Sequence, residues 1–386
     1  MMKKIKKYIN DMDKVLLISV IVLCIFGLLN IVTASSREAV INLDESLFYY
    51  FYRHLIFLVL GLIGTIIILS IPTKKYYNYI PILYIVILGL NLWLILRGSS
   101  TRGANNWINL GFFKLQPSEL AKPILIVMLA CLFEKYYKHL KNKTDLSVKK
   151  IMTIIITGSL LVLIVFLQKD LGTATIIFGI FGVMLLTSPI NKKFKFQSCI
   201  VLIIGILLAS LIFVSNGSKI LTKAQSSRLD YFNPCSKYET SGYQVCNAFI
   251  AINSGGLFGV GIGKSAQKYS YIPEPHTDMV FSIISEEYGL LRTTVIFIVY
   301  LIILYRILNL ASKTKSIKGR YICIGVSTYI FLHIFINLGG LFGIIPLTGV
   351  PLPLLSYGGS FTLSLLFSLA VVQRIHIENK NQKIKI

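Results

Sequence analysis

Charge is what this chain has least of. Only 14% of its 386 residues are Asp, Glu, Lys or Arg, and only 16 of those are acids. A soluble domain carries roughly 25% charged residues, so an ordinary water-soluble fold is excluded. The chain has no phosphate-binding GxxxxGK[ST] loop, no dinucleotide-type GxGxxG, no CxxC and no HExxH, which removes the common nucleotide, redox and zinc-hydrolase sites. Cysteine is scarce, with six in all. Cys24, Cys131, Cys199 and Cys323 fall in apolar runs and read as small hydrophobic residues. Cys235 and Cys246 share one polar stretch, which admits a disulfide on an oxidising face and equally admits two free thiols.

What is present is hydrophobicity: 55% apolar residues and a mean hydropathy of +0.72. Apolar windows of bilayer-spanning length recur along the chain. They predict an all-α polytopic membrane protein, a single domain over 1–386 with about ten spans, near 15–34, 54–72, 79–96, 118–134, 151–167, 172–188, 198–214, 289–310, 321–340 and 360–375. The first span is too long for a signal-peptide core and lacks a clear A-x-A site, so it is expected to stay. The net charge of +23 follows the membrane rather than a groove, and nucleic acid is not expected. Lys and Arg concentrate in 1–14, 135–150, 192–195, 306–320 and a basic tail at 376–386. The positive-inside rule then puts both termini in the cytoplasm and the polar loops, including a long one at 215–277, outside.

The chain's sparse acid gathers in YIPEPHTDMVFSIISEEYG, Tyr271–Gly289, which holds four of the 16 carboxylates. Pro273 and Pro275 bar a helix before them, and Thr277 is a suitable cap for one starting there. Such a helix puts Asp278, Ser282 and Glu286 on one face, with Asp278 and Glu286 about 12 Å apart. That exceeds the roughly 5–9.5 Å of a paired-carboxylate glycosidase, so a catalytic carboxylate here acts alone. Asp278 is the candidate; its alternative is a plain complement to the helix end.

A second polar stretch, Arg97–Lys122, contributes Lys122 one turn inside a span, where a charge is costly and a functional suspect, unless it snorkels to the surface. Lys169 and Asp170 in QKDLGTA read as a surface pair. GVGIG at Gly259–Gly263 with Lys264 is either a phosphate cradle or a flexible loop. Acids, bases and aromatics thus share one face, which suits an anionic, lipid-linked, sugar-bearing ligand.

The stretches RGANNWINLGFFKLQPSELAK, QKDLGTA, GYQVCNAFIAINSGGLFGVGIGKS, IPEPHTDMVFSIISEEYG and TGVPLPLLSYGGS occur in this order over most of the chain. They resemble the SEDS family (shape, elongation, division and sporulation: FtsW, RodA, SpoVE). GVGIGKSAQKY and QKDLGTA are more like the division branch, and TGVPLP more like the elongation branch. The resemblance implies a peptidoglycan glycosyltransferase that polymerises lipid II, with a cavity open to the outer leaflet. It makes Asp278 the essential acid and Arg102, Trp107, Gln116, Ser118, Glu119 and Lys122 cavity residues, with Lys264, His276, Glu286, Ser356 and Tyr357 as further substrate contacts. It implies work beside a class B penicillin-binding transpeptidase and other division or elongation membrane proteins. No organic cofactor is expected; a divalent cation held by Asp278 is the alternative to Asp278 acting as base. A lipid flippase and a non-catalytic scaffold are the rival functions.

Overall fold

The computed structural model describes residues 8–384 except 98, 102–103, 112, 138–139, 141–144, 193–194, 197–232 and 240–241. Its helices are α1 (Lys14–Arg37), α2 (Tyr49–Ser70), α3 (Tyr76–Arg97), α4 (Pro117–Lys135), α5 (Asp145–Leu167) and α6 (Leu171–Thr187). After the undescribed stretch come α7 (Tyr243–Gly255), the single turn α8 (Gln267–Ser270), α9 (Val280–Lys313), α10 (Ile317–Leu341) and α11 (Gly359–Ile384). Seven of these elements are long and apolar enough to cross a membrane. The 19-residue α4 has the length but carries four charges, and α6 is a shorter apolar helix. The expected span at 198–214 and the first part of the 215–277 loop lie outside the described residues.

Local chemistry sets the helix ends. Asp13 caps α1 by accepting from the Leu16 N–H, Asp170 caps α6 through Thr173, and Ser316 caps α10 through Gly319. Pro72 follows the end of α2, where its missing N–H costs no helical bond. The residues read as a basic tail at 376–386 instead continue α11 to Ile384, because nothing in ENKNQKI breaks a helix. Between α3 and α4 a three-stranded antiparallel sheet forms, β1 (Ser99–Thr101), β2 (Ala104–Asn109) and β3 (Lys114–Leu115), a small addition to the expected all-α fold. Its register sets Asn109 opposite Lys114.

α10 and α11 are the centre of the bundle: 72% of each apolar window is buried, against 22% for α2, whose outer face is left for lipid. α11 packs along α2 and α4, α10 along α9, α4 and α6, and α9 along α1.

The expected span at 289–310 is the second part of a broken helix. α9 is interrupted at Gly289, which sits at φ 77°, ψ 172°. An interruption frees backbone groups that lipid cannot satisfy. Here the glycine loop 256–261 supplies the partners. Val260 and Gly261 N–H groups donate to Glu286 and Glu287 carbonyls at 2.9 and 3.1 Å, and Leu290 and Leu291 N–H groups donate to Gly256 and Leu257 carbonyls at 2.9 and 3.2 Å. GVGIG is therefore neither a phosphate cradle nor a loose loop; it is spliced into the break. A Cβ on Gly289 would lie 2.3 Å from the Gly259 nitrogen, and one on Gly259 2.3 Å from the Glu287 oxygen. Gly256, at φ 50°, has open space around it.

These contacts separate two substitutions. Gly289→Ala combines left-handed strain of about 1–2 kcal/mol with a backbone clash and is expected to cost more than about 3 kcal/mol. Gly256→Ala carries the strain alone, about 1–2 kcal/mol. Thermal unfolding of both in one detergent checks the order; equal shifts would refute the splice.

Candidate active site

The segment leading into α9 is not helical at Thr277. Residues 271–279 run through bends and turns in which Pro273 and Pro275 bar a helix, Glu274 lies at φ 46°, and the Thr277 N–H closes a turn on the Glu274 carbonyl at 3.0 Å. The helix begins only at Val280, so Thr277 is not its cap. The Thr277 hydroxyl instead lies 2.7 Å from the Glu274 carbonyl and 3.0 Å from Asp278 Oδ1. Asp278 thus sits on a turn ahead of the helix, 4% exposed. Two bonds fix that turn to the rest of the fold. Asn337 on α10 donates through Nδ2 to the Asp278 carbonyl at 2.7 Å and to the Val350 carbonyl at 2.8 Å. The Tyr357 N–H donates to the His276 carbonyl at 2.8 Å.

Asp278 faces a cavity of about 770 Å³. One wall comes from Glu38, just past the end of α1, from α2 and from the 274–278 turn. There the Tyr50 hydroxyl donates to Glu38 at 3.2 Å, and the Tyr50 and His276 rings lie 4.2 Å apart. Tyr357 packs against His276 at 5.4 Å and against Tyr50 at 5.1 Å. Burial raises the Tyr357 phenol above its ordinary pKa, and the nearby positive charge of Arg53 pulls it partly back; at neutral pH it is a protonated hydroxyl. The opposite wall comes from the 104–119 hairpin and the start of α6. Asp170 Oδ2 accepts from Asn106 Nδ2 at 2.6 Å and from Gln116 Nε2 at 2.7 Å, while Oδ1 caps α6. Asp170 is therefore a cavity residue that joins hairpin to helix, beyond the surface pair expected of it. Glu119 and His333 close the floor.

Of the residues singled out in the sequence, Asp278, Trp107, Gln116, Glu119, His276 and Tyr357 line this cavity. Arg102 lies outside the described residues. The others sit elsewhere, each for a visible reason. Lys122 is fully buried beneath the floor; it does not snorkel, and its Nζ donates to Glu119 at 2.7 Å and approaches His333 Nε2 at 3.0 Å. Ser118 is fully buried beside it. Glu286 is turned into the splice, where it accepts from the Ser265 hydroxyl and the Ala266 N–H. Lys264 is on the exposed side of that loop. Ser356 accepts from the Leu352 N–H at 2.8 Å and shapes its own loop. Cys235 and Cys246 are joined by a disulfide that ties the turn at Pro234–Lys237 to α7.

Residues 13–381 match the family model described as cell cycle protein, FtsW/RodA/SpoVE. The chain belongs to the FtsW/RodA/SpoVE family. Among its relatives is the probable peptidoglycan glycosyltransferase FtsW of Bacillus subtilis (strain 168), 35% identical over 397 residues, spanning 98% of this chain and 95% of the relative. The fold is similar to a chain of a peptidoglycan synthase complex described as coordinating polymerization and crosslinking, with TM-score 0.73 at 23% identity over 95% of this chain and 97% of that one. It is also similar to Thermus thermophilus RodA, a rod shape determining protein, with TM-score 0.67 at 24% identity over 95% and 96% of the two chains. Like these, the chain is a multi-pass membrane protein.

For this member of the FtsW/RodA/SpoVE family, sequence reading missed Glu38, Arg53, His333 and Asn337. The available signal was the same for the last three: a polar residue inside or at the mouth of an apolar run. Among the described residues no three His, Cys, Asp or Glu side chains gather as a metal cage. A cation here would be held by Asp278 with at most one other such side chain among the described residues, the kind of site in which magnesium keeps waters and leans on substrate phosphates.

The buried Lys122–Glu119 pair makes a clear prediction. Lys122→Met strands a buried carboxylate and is expected to destabilise the protein by about 3–5 kcal/mol, whereas Lys122→Met with Glu119→Gln recovers most of that. Unfolding midpoints of the two variants test it; a single variant as stable as wild type would mean that Lys122 is not locked to Glu119.

Proposed function

We propose that this chain is a peptidoglycan glycosyltransferase that polymerises lipid II into β-1,4 glycan strands, with Asp278 as its general base. The observation that carries the reading is a carboxylate, Asp278, on a doubly tethered turn, at the wall of a large cavity lined with aromatic, acidic and cationic side chains. A polymerase of this kind needs one base. The acceptor's GlcNAc C4 hydroxyl gives its proton to Asp278 and its oxygen bonds to C1 of the donor MurNAc. The C1–O bond to the diphosphate breaks, and undecaprenyl diphosphate leaves with the electron pair. The α-linked donor becomes a β linkage in one inversion, so no second carboxylate within 5 Å is required.

The remaining residues have roles this geometry supports. Tyr50, His276, Trp107 and Tyr357 offer ring faces to sugar, and Gln116 and Asn106, held by Asp170, offer amides to hydroxyl and acetamido groups. Both termini are assigned to the cytoplasm by their lysines, and the cavity to the outer leaflet; the Cys235–Cys246 bond suits an oxidising outer side. The FtsW relatives favour the division branch. The partner expected is a class B penicillin-binding transpeptidase, within a larger set of division or elongation membrane proteins.

The test is polymerisation of labelled lipid II by purified protein with its transpeptidase. Asp278→Asn is expected to lower the rate by about 10²–10⁴-fold with the fold intact. Glycan made by Asp278→Asn at the normal rate would remove Asp278 from the chemistry. Transport of lipid II across a bilayer without any polymer would point to a flippase, and neither activity to a scaffold. Wild-type polymerisation is expected to persist in excess chelator; loss in chelator and return with magnesium would make Asp278 a cation ligand instead of a base.

A further inference from the structure

A glycosyl donor that leaves as a diphosphate needs a cation at the leaving group, and the buried lysines cannot provide it. Lys122 is fully buried and committed to Glu119 and His333. Lys268 is 3% exposed, donates to Glu287 at 2.9 Å and to the Gly263 carbonyl at 2.7 Å, and lines no part of the cavity. Lys264 is likewise outside the cavity.

Three cations line the cavity among the described residues, Arg53, Lys114 and Lys169; Lys114 belongs to the hairpin and Lys169 to the turn before α6, whereas Arg53 belongs to the wall that carries Asp278. Arg53 lies in the second turn of α2, and Tyr50, Arg53 and Phe57, spaced three and four apart, line the cavity along one face of that helix. Its guanidinium carbon lies 4.6 Å above the Tyr49 ring, and the group lies near the Tyr357 hydroxyl, whose pKa it lowers. No carboxylate lies within ion-pair distance of it among the described residues. A cavity-facing guanidinium is thus set on an aromatic shelf beside one hydroxyl, with donors and charge uncommitted among the described residues. Its planar fork matches two phosphate oxygens.

Arg53 is also on the reacting side. Tyr357, which it lies near, packs on the His276 ring, and the Tyr357 backbone N–H donates to the His276 carbonyl, two residues before Asp278. The same wall therefore carries the carboxylate that activates the acceptor and the guanidinium.

We propose that Arg53, set beside Tyr49 and Tyr357, binds the diphosphate of the lipid-linked donor. The proposal rests on the glycosyltransferase reading and adds a leaving-group site to it. As the C1–O bond breaks, its electron pair remains on the diphosphate, and the negative charge facing Arg53 grows. The contact strengthens toward the transition state, so its loss acts on kcat as well as on KM.

The experiment uses full-length protein with its transpeptidase in phosphatidylcholine nanodiscs, comparing wild type, Arg53→Ala, Arg53→Lys and Tyr357→Phe. It reads kcat and KM for labelled lipid II, direct binding of undecaprenyl diphosphate, and unfolding midpoints. Arg53→Ala is expected to lose about 100-fold in kcat/KM and to bind undecaprenyl diphosphate at least about tenfold more weakly. Arg53→Lys is expected to recover part of both, since it keeps the charge without the fork, and Tyr357→Phe to lose severalfold. Wild-type kcat/KM and binding in a folded Arg53→Ala would overturn the proposal. So would a defect that appears only when phosphatidylglycerol is added, because the guanidinium would then serve bulk anionic headgroups. A wild type that makes no polymer would overturn the glycosyltransferase reading, and the diphosphate-binding comparison would still decide the site. Should Arg53→Ala unfold, the folded Arg53→Lys and Tyr357→Phe variants carry the decision by the same measurements.

Discussion

Everything around Asp278 depends on how one interrupted helix satisfies its backbone. A helix inside a bilayer cannot stop and restart unless the freed carbonyls and N–H groups find partners within the protein. α9 stops at Gly289, and four hydrogen bonds from 256–261 close the gap. Because that loop is sewn to the break, the chain between the loop and Val280 must be short, turned and tied down. The turn carrying Asp278 is part of that connection. A carboxylate placed this way takes its position from the bonds that tie its turn to α10 and to Tyr357, as well as from its own contact with the Thr277 hydroxyl, and it lines the cavity.

Buried charge is sorted by the same logic. Lys268–Glu287 fastens the splice and Lys122–Glu119 fastens the cavity floor, and each is nearly or wholly shielded from solvent. Such pairs add little net stability, since desolvation offsets most of their attraction. What they provide is placement. Each removes one cation from the pool that could meet an anionic ligand, so the cavity's electrostatics are set by the residues at its mouth and not by the chain's excess of 23 positive charges.

The helical membrane fold and the placing of the acid-rich stretch beside a cavity were legible because apolar runs and local crowding of acid are one-dimensional signals. The helix start was not. Counting four-residue steps from Thr277 brought Glu286 toward Asp278, but the turns through Met279 and the break at Gly289 send Glu286 into the splice. Lys122 looked like a ligand contact because a charge inside a span is conspicuous; its partner His333 is 211 residues away, and no spacing rule connects them. Asp170 was undervalued for the same reason, since the amides that it holds come from another loop, 54 and 64 residues earlier. Arg53 sat at a span edge, where arginine ordinarily marks the membrane boundary. Only the fold distinguishes a boundary marker from a cavity wall.

The cavity draws its lining from residues 38–57, 106–119, 169–173, 274–278 and 333–361. The last of these segments runs into α11, the last of the described helices. A membrane protein is made and inserted from its N-terminus onward. The pocket therefore does not exist at any earlier stage of synthesis, however many helices are already in place. Asp278 emerges from the ribosome more than fifty residues before Tyr357 and Phe361 can wall it in. A chain stalled or clipped before its last helix would be a membrane-embedded bundle with an open-sided groove, unable to enclose a substrate.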